Sequence, residues 1–243
     1  MKFKRSLIPW TIDAKLVERY IFNFRIRPDE LKKHLPVPWL QPQVFNGWGI
    51  ISFCILDIDK ITIAPIPPIF NYQTTSCAYR AGVFDHSNGA AVPSVYITDR
   101  NSNLTLIAKL GPWLLADALP MVTPSIKHLG DQVNIQVNYA DGQKLFCASA
   151  RLGEFKSSLF SSLDDFKSFI LAGVSSYTPS VYLGKMTRVD LHKSDTVYAA
   201  MVGEVDYSWL DGSWNESPLE LDSVIRATGG TYKWVYKGLM PFK

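Results

Sequence analysis

Glu18 to Pro36 reads ERYIFNFRIRPDELKKHLP. Tyr20, Phe22, Phe24 and Ile26 recur at every second position, with Asn23, Arg25 and Arg27 between them, the pattern of a strand with one apolar face. Pro28 then suits the first position of a helix. Asp29 and Glu30 complement the positive end of its dipole and Lys32, Lys33 and His34 the negative end, and Pro36 stops it. A long amphipathic strand feeding one or two turns of helix sets the expectation for the rest of the chain.

Working outward, strands predominate. Trp48 to Ile58 is a nearly continuous apolar run that belongs deep in a sheet, and Ala64 to Pro68 carries three prolines that make it a loop. Asn71 to Ala81 alternates with small or polar residues on both faces, so one face lines a cavity or meets water. Val92 to Thr98 is a further strand. Leu104 to Leu119 reads as a short helix, a break at Gly111-Pro112 and a second helix begun by Pro112. Val133 to Tyr139 and Lys144 to Arg151 flank Asp141-Gly142, a hairpin signal. Ser162 with Asp165 opens a helix that Gly173 closes. Tyr182 to Lys193 and Thr196 to Trp209 read as a long hairpin, Leu219 to Ala227 as a helix, and Thr231 to Tyr236 as a last strand. The helices are short connectors, and no βαβ rhythm, repeat or linker divides the 243 residues. The expected architecture is mainly β (α+β): one domain over residues 1–243, a large curved antiparallel sheet or closed β-barrel with short connecting helices.

Composition excludes several function classes. A formal charge of +3, with basic residues scattered among 22 acids, offers no basic face to nucleic acid. Cys54, Cys77 and Cys147 lie far apart, and neither they nor His34, His86, His128 and His192 show metal-ligand spacing, so no metal or cofactor is implied. The basic start MKFKRSLIPW lacks a signal-peptide core, and no apolar run reaches spanning length. The expectation is a cytoplasmic protein with no membrane or nucleic-acid partner, a small organic acid or carbonyl compound as ligand, and homo-oligomerisation left open. There is no Gly-x-Ser-x-Gly elbow, and Gly229-Gly230 lacks the rest of a phosphate loop.

The strand, short helix and Leu-Pro ending of Arg19 to Pro36 resemble the opening of the acetoacetate-decarboxylase-like superfamily. The later stretches LDDFKSFILAGVSSYTPS and TRVDLHKSDTVY are similar to its uncharacterised branch. The resemblance implies a Schiff-base lysine after a helix and a proline, with its amine kept neutral by an adjacent cation and an apolar pocket, and glutamates on two early strands beside it. Here the residue after Leu119-Pro120 is Met121, no lysine follows before Lys127, Gly49 to Leu56 contains no acid, and none occurs from Lys60 to Phe84. The family's N-terminal arginine is matched by Arg19 or Arg25, with the register between them open.

These departures argue against the usual decarboxylase mechanism. Lys109, in LTLIAKLGPW, is the lysine whose apolar setting suggests chemistry; it either has a lowered pKa or lays its stem along the core with the ammonium in water. Gln73, Thr75, Tyr79 and Arg80 form the candidate pocket strand, able to orient a small anion or carbonyl, unless that strand is a solvent-facing edge. Asp222 and Arg226 would pair on a helix face, and Tyr232, Trp234 and Tyr236 would form core or pocket wall. The first reading is a small-molecule-binding barrel without the Schiff-base apparatus. The second is a lyase or related enzyme on a small keto acid that uses Lys109, and the third is a protein-interaction scaffold. A depressed lysine pKa beside a cavity separates the second from the first.

Overall fold

The computed structural model describes residues 10–64, 72–114, 116–194, 196–206 and 217–242. They form a mostly β fold, a single 14-stranded sheet with three short helices. The opening strand β1 (Thr11–Ile26) runs into helix α1 (Pro28–Lys33), as the alternation and Pro28 predict. Two short strands, β2 (Leu40–Pro42) and β3 (Val44–Phe45), lead into the long β4 (Trp48–Ala64), β5 (Tyr72–Asp85) and β6 (Val92–Ser102). The Pro-rich segment expected to be a loop lies, beyond Ala64, outside the described residues.

Helix α2 (Thr105–Leu114) is one helix with Pro112 inside it, not two separated by a break. A proline in the last turn removes one N–H where few intrahelical bonds remain to be made, so it ends the helix rather than starting another. Strands β7 (Val122–Leu129), β8 (Gln132–Tyr139) and β9 (Lys144–Leu152) form a meander, and Gly142, at φ 90°, supplies the left-handed turn of the β8–β9 hairpin. In helix α3 (Leu163–Ala172) the Ser162 side chain accepts a hydrogen bond from Asp165 N, and Gly173 caps the other end.

Two readings are corrected. β11 (Lys185–Ser194) and β12 (Val197–Val205) are consecutive but do not pair. β11 lies between β10 (Ser175–Pro179) and β14 (Thr231–Pro241), whereas β12 lies between β9 and β13 (Glu220–Thr228). Local pattern gives strand type, but partner choice depends on which free edge lies nearby in space. The segment expected as a helix at Leu219 to Ala227 is β13, bonded on one edge to β1 and on the other to β12. Asp222 and Arg226 do not pair: Asp222 accepts from the backbone N–H and hydroxyl of Ser158, and Arg226 pairs with Glu18.

The ladder closes on itself. β1 pairs with β4 along its whole length on one edge, and on the other with β14 over Thr11–Lys15 and then β13 over Glu18–Arg25. The circuit β1-β4-β5-β6-β10-β11-β14 returns to β1, with β6–β10 as its one parallel step. The wing β13-β12-β9-β8-β7 continues from β1. Two cores follow. Outside the circuit, Tyr20, Phe22, Phe24, Phe53 and Tyr79 pack against Ile135, Phe146 and Ala148 of the wing, with Phe53 stacked on Phe146 at 3.9 Å. Inside it, Ile21, Cys54, Leu56, Leu191 and Tyr232 meet Phe160 and Phe166 at α3. Both faces of β1 are therefore covered, and the polar positions Arg19 and Asn23 are buried along with the aromatic ones.

Candidate functional site

A cavity of about 130 Å³ lies within the circuit. Strand alternation places its polar groups: β4 supplies Ser52 and Cys54, β5 supplies Ser76 and Arg80, β1 supplies Arg19 and β11 supplies Lys193. β6 adds Arg100 and β10 adds Ser176, and the rest of the wall is largely apolar, with Leu56, Ile58, Ile97, Leu119, Leu191 and Trp234 among its residues. Among the described residues no aspartate or glutamate lines it.

Arg19 is only 1% exposed and is built into the wall, where its Nη2 donates to Cys54 Sγ at 3.1 Å. Burial opposes the Arg19 charge, but Cys54 and Tyr232 beside it more than offset this and hold the guanidinium protonated. Burial pushes the Cys54 thiol up, yet Arg19 and Arg80 together bring it below its ordinary value, which favours the thiolate. Cys77, one strand over, faces the outer core, and burial followed by the nearby Asp99 raises it far above the usual thiol range. Two neighbouring thiols are thus driven in opposite directions.

Arg80 is half-buried, with its Nε enclosed by protein. Its Nε has no hydrogen-bond partner among the described residues. Burial lowers it to about 10, with Arg19 and Arg100 adding to the effect and Cys54 opposing it, so it stays charged at neutral pH. Arg100 also lines the cavity but is paired with the buried Asp117 at 3.5 Å. Burial pushes the Asp117 carboxyl up to about 6 against the pull of Arg100.

Lys193 continues the inward face of Val189 and Leu191 on β11. Its Nζ donates to the carbonyl of Ile170, in the last turn of α3, at 2.7 Å. Burial, then the positive charges of Arg19 and Arg80, bring its amine down to about 7. A lysine half neutral at pH 7 in an apolar, cation-rich cavity is a nucleophile that needs no carboxylate to deprotonate it.

The structure brings some of the sequence candidates together and scatters the rest. Arg19 and Arg80 both line the cavity. Arg25 lies at the surface, bonded to Glu220 and set over the Trp48 ring at 5.0 Å. Gln73 is exposed and donates to Asp57, Thr75 is half-buried near the same end, and Tyr79 points into the outer core, where its hydroxyl donates to Leu145 O. Met121 is half-buried in a bridge to Ser102 and is not part of the cavity wall. Lys109 is exposed on α2, outside the cavity, because the helix face it occupies points away from the circuit while Ile107 faces in. Trp234 forms wall and Tyr232 core, as their shared strand face suggests. Lys193 escaped the sequence reading, although a lysine in phase with Val189 and Leu191 on an apolar strand face was the available signal.

No family model matches the chain, and no curated protein matches it in sequence. Solved structures do match. Acetoacetate decarboxylase from Legionella pneumophila superposes with a TM-score of 0.65 at 12% identity, over 99% of this chain and 92% of that one. The enduracididine biosynthesis enzyme MppR, complexed with pyruvate, gives 0.57 at 13% identity over 100% and 92%. An acetoacetate decarboxylase-like enzyme from Sphingomonas wittichii RW1 gives 0.58 at 12% over 96% and 92%. Nearly the whole chain is matched in each case, and the protein has the acetoacetate-decarboxylase-like fold.

Proposed function

We propose that the protein is an enzyme that condenses Lys193 with the carbonyl of a small oxo acid. The observation that carries this reading is the placement of the Lys193 amine in an apolar cavity beside two arginines, with no carboxylate to keep it protonated. The neutral amine attacks the carbonyl carbon to give a carbinolamine. Loss of the oxygen as water, which carries off both amine protons in the neutral product, leaves an imine; protonated, it withdraws electrons from the adjacent carbon–carbon and carbon–hydrogen bonds. That electron sink suits lyase chemistry. Cys54, at the cavity wall and biased toward the thiolate, is the lining group suited to accept a proton. The complex of one structural neighbour with pyruvate supports the substrate size. Compared with a decarboxylase whose lysine follows a helix and a proline, the nucleophile would here reach the cavity from another strand.

The test is reductive trapping. Incubation with pyruvate or acetoacetate and borohydride should give a stoichiometric adduct at Lys193 by intact mass and peptide mapping, absent in Lys193→Met. Saturable binding with no adduct would replace this reading with that of a ligand-binding protein without imine chemistry.

A further inference from the structure

We infer that Lys193 is a carbamylation site: carbon dioxide entering the cavity adds to its amine and is held there as a carbamate by Arg19 and Arg80. The starting point is an imbalance of charge. Arg19, Arg80, Arg100 and Lys193 all line the cavity, and no aspartate or glutamate does among the described residues. Arg100 is held by Asp117, which is not part of the lining. Cys54, the lining group biased toward an anion, accepts from Nη2 of Arg19. Arg19 Nε and Nη1 and Arg80 Nε are buried with no hydrogen-bond partner among the described residues. Enclosed guanidinium nitrogens without an acceptor are costly, and a carbamate on the neighbouring lysine supplies two oxygens for charge-assisted hydrogen bonds.

The reaction needs a neutral amine. An exposed lysine is almost wholly protonated at neutral pH, whereas burial and then the charges of Arg19 and Arg80 bring Lys193 down to about 7. The Nζ lone pair attacks the carbon of carbon dioxide, one carbon–oxygen π bond breaks onto oxygen, and an amine proton passes to water. Nothing is oxidised or reduced. The product keeps one N–H, which leaves a donor for the Ile170 carbonyl that Nζ already bonds at 2.7 Å. A cavity of about 130 Å³ has room for so small a molecule. The site is the one the imine reading uses, since both draw on the same neutral amine, but carbamylation does not require that an imine form. A carbamate withdraws the nucleophile, so carbon dioxide acts as a reversible inhibitor of condensation.

The experiment equilibrates the full chain with isotopically labelled carbon dioxide just above neutral pH, fixes carbamates with a trialkyloxonium salt and maps them by peptide mass spectrometry. Lys193 is expected to carry at least about tenfold more label than Lys109, which is exposed on α2, and Lys193→Met to lose that adduct. Arg80→Gln should lower the occupancy severalfold, with Arg80→Lys falling between. Equal labelling of Lys193 and Lys109, or undiminished labelling of a folded Arg80→Gln protein, would overturn the assignment. Because the two lysines are compared within the wild-type chain, misfolding of a variant cannot mask the result. Borohydride trapping with pyruvate separates the two readings: label at Lys193 without a pyruvate adduct removes the imine alone, and a pyruvate adduct without label removes the carbamate alone. Where both form, added carbon dioxide should slow pyruvate trapping, and an unchanged rate would refute the inhibition.

Discussion

Lys193 has its amine at about 7, well below the ordinary 10.5, because burial and two arginines act on it together. From about pH 7 up to its unfolded value the unfolded chain carries a proton that the folded protein does not, so on this account stability rises with pH across that window and is flat below it. Lys193→Met removes the penalty. We expect it to be more stable at pH 7 by about 1–3 kcal/mol, roughly 3–10 °C in Tm, and to lose the rise toward pH 10, measured by thermal melts across pH. A less stable variant, or an unchanged pH profile, would refute the stored cost. The same titration predicts that trapping at Lys193 accelerates through pH 7 and levels off above about pH 8; a rate still climbing to pH 10 would mean an ordinary lysine. These residues were unevenly legible. Arg19 and Arg80 were visible as polar positions on strands that need an interior, whereas Lys193 stood in a segment read only as half of a hairpin. Its partners Arg19 and Arg80 are far away in sequence, so nothing local revealed its setting.

Among the elements, α3 has the most direct hold on the site. It supplies the Ile170 carbonyl to Lys193, and Phe169 and Ile170 form part of the wall. Its approach to the sheet depends on Gly82 of β5, where an added Cβ would lie 2.7 Å from Ile50 Cγ2 and 3.2 Å from the Phe169 ring. Gly82→Ala is therefore expected to cost about 1–3 kcal/mol through overpacking and to slow trapping by shifting α3 away from Lys193. Unchanged melting and trapping would show that the helix yields freely. The cap of α3 was legible because Ser162 and Asp165 act within one turn, as was the β8–β9 hairpin at Asp141-Gly142. β13 was misread because Leu219, Leu221, Val224 and Ile225 satisfy helical and extended spacing alike. Its pairing on both edges, to β1 and β12, decided the matter.

For the whole molecule, sharing of β1 between the closed circuit and the wing predicts one cooperative unit. Calorimetric and van't Hoff enthalpies should agree in a single transition, and limited proteolysis should yield no stable half; two separable transitions would divide the chain into domains. The architecture as a class was legible from the density of strand patterns, but its closure was not, since closure is a relation between strands at opposite ends of the chain. That relation also governs how the protein comes into being. Asn23 on β1 bonds Ser223 on β13, 200 positions later, and Thr11 to Lys15 wait for β14, which follows it. During synthesis the first strand therefore emerges with one edge unclaimed and stays so until almost every other strand has been made. Arg19 cannot be sealed, nor the cavity assembled, until that last pairing forms, so a nascent or truncated chain is both aggregation-prone and without a site.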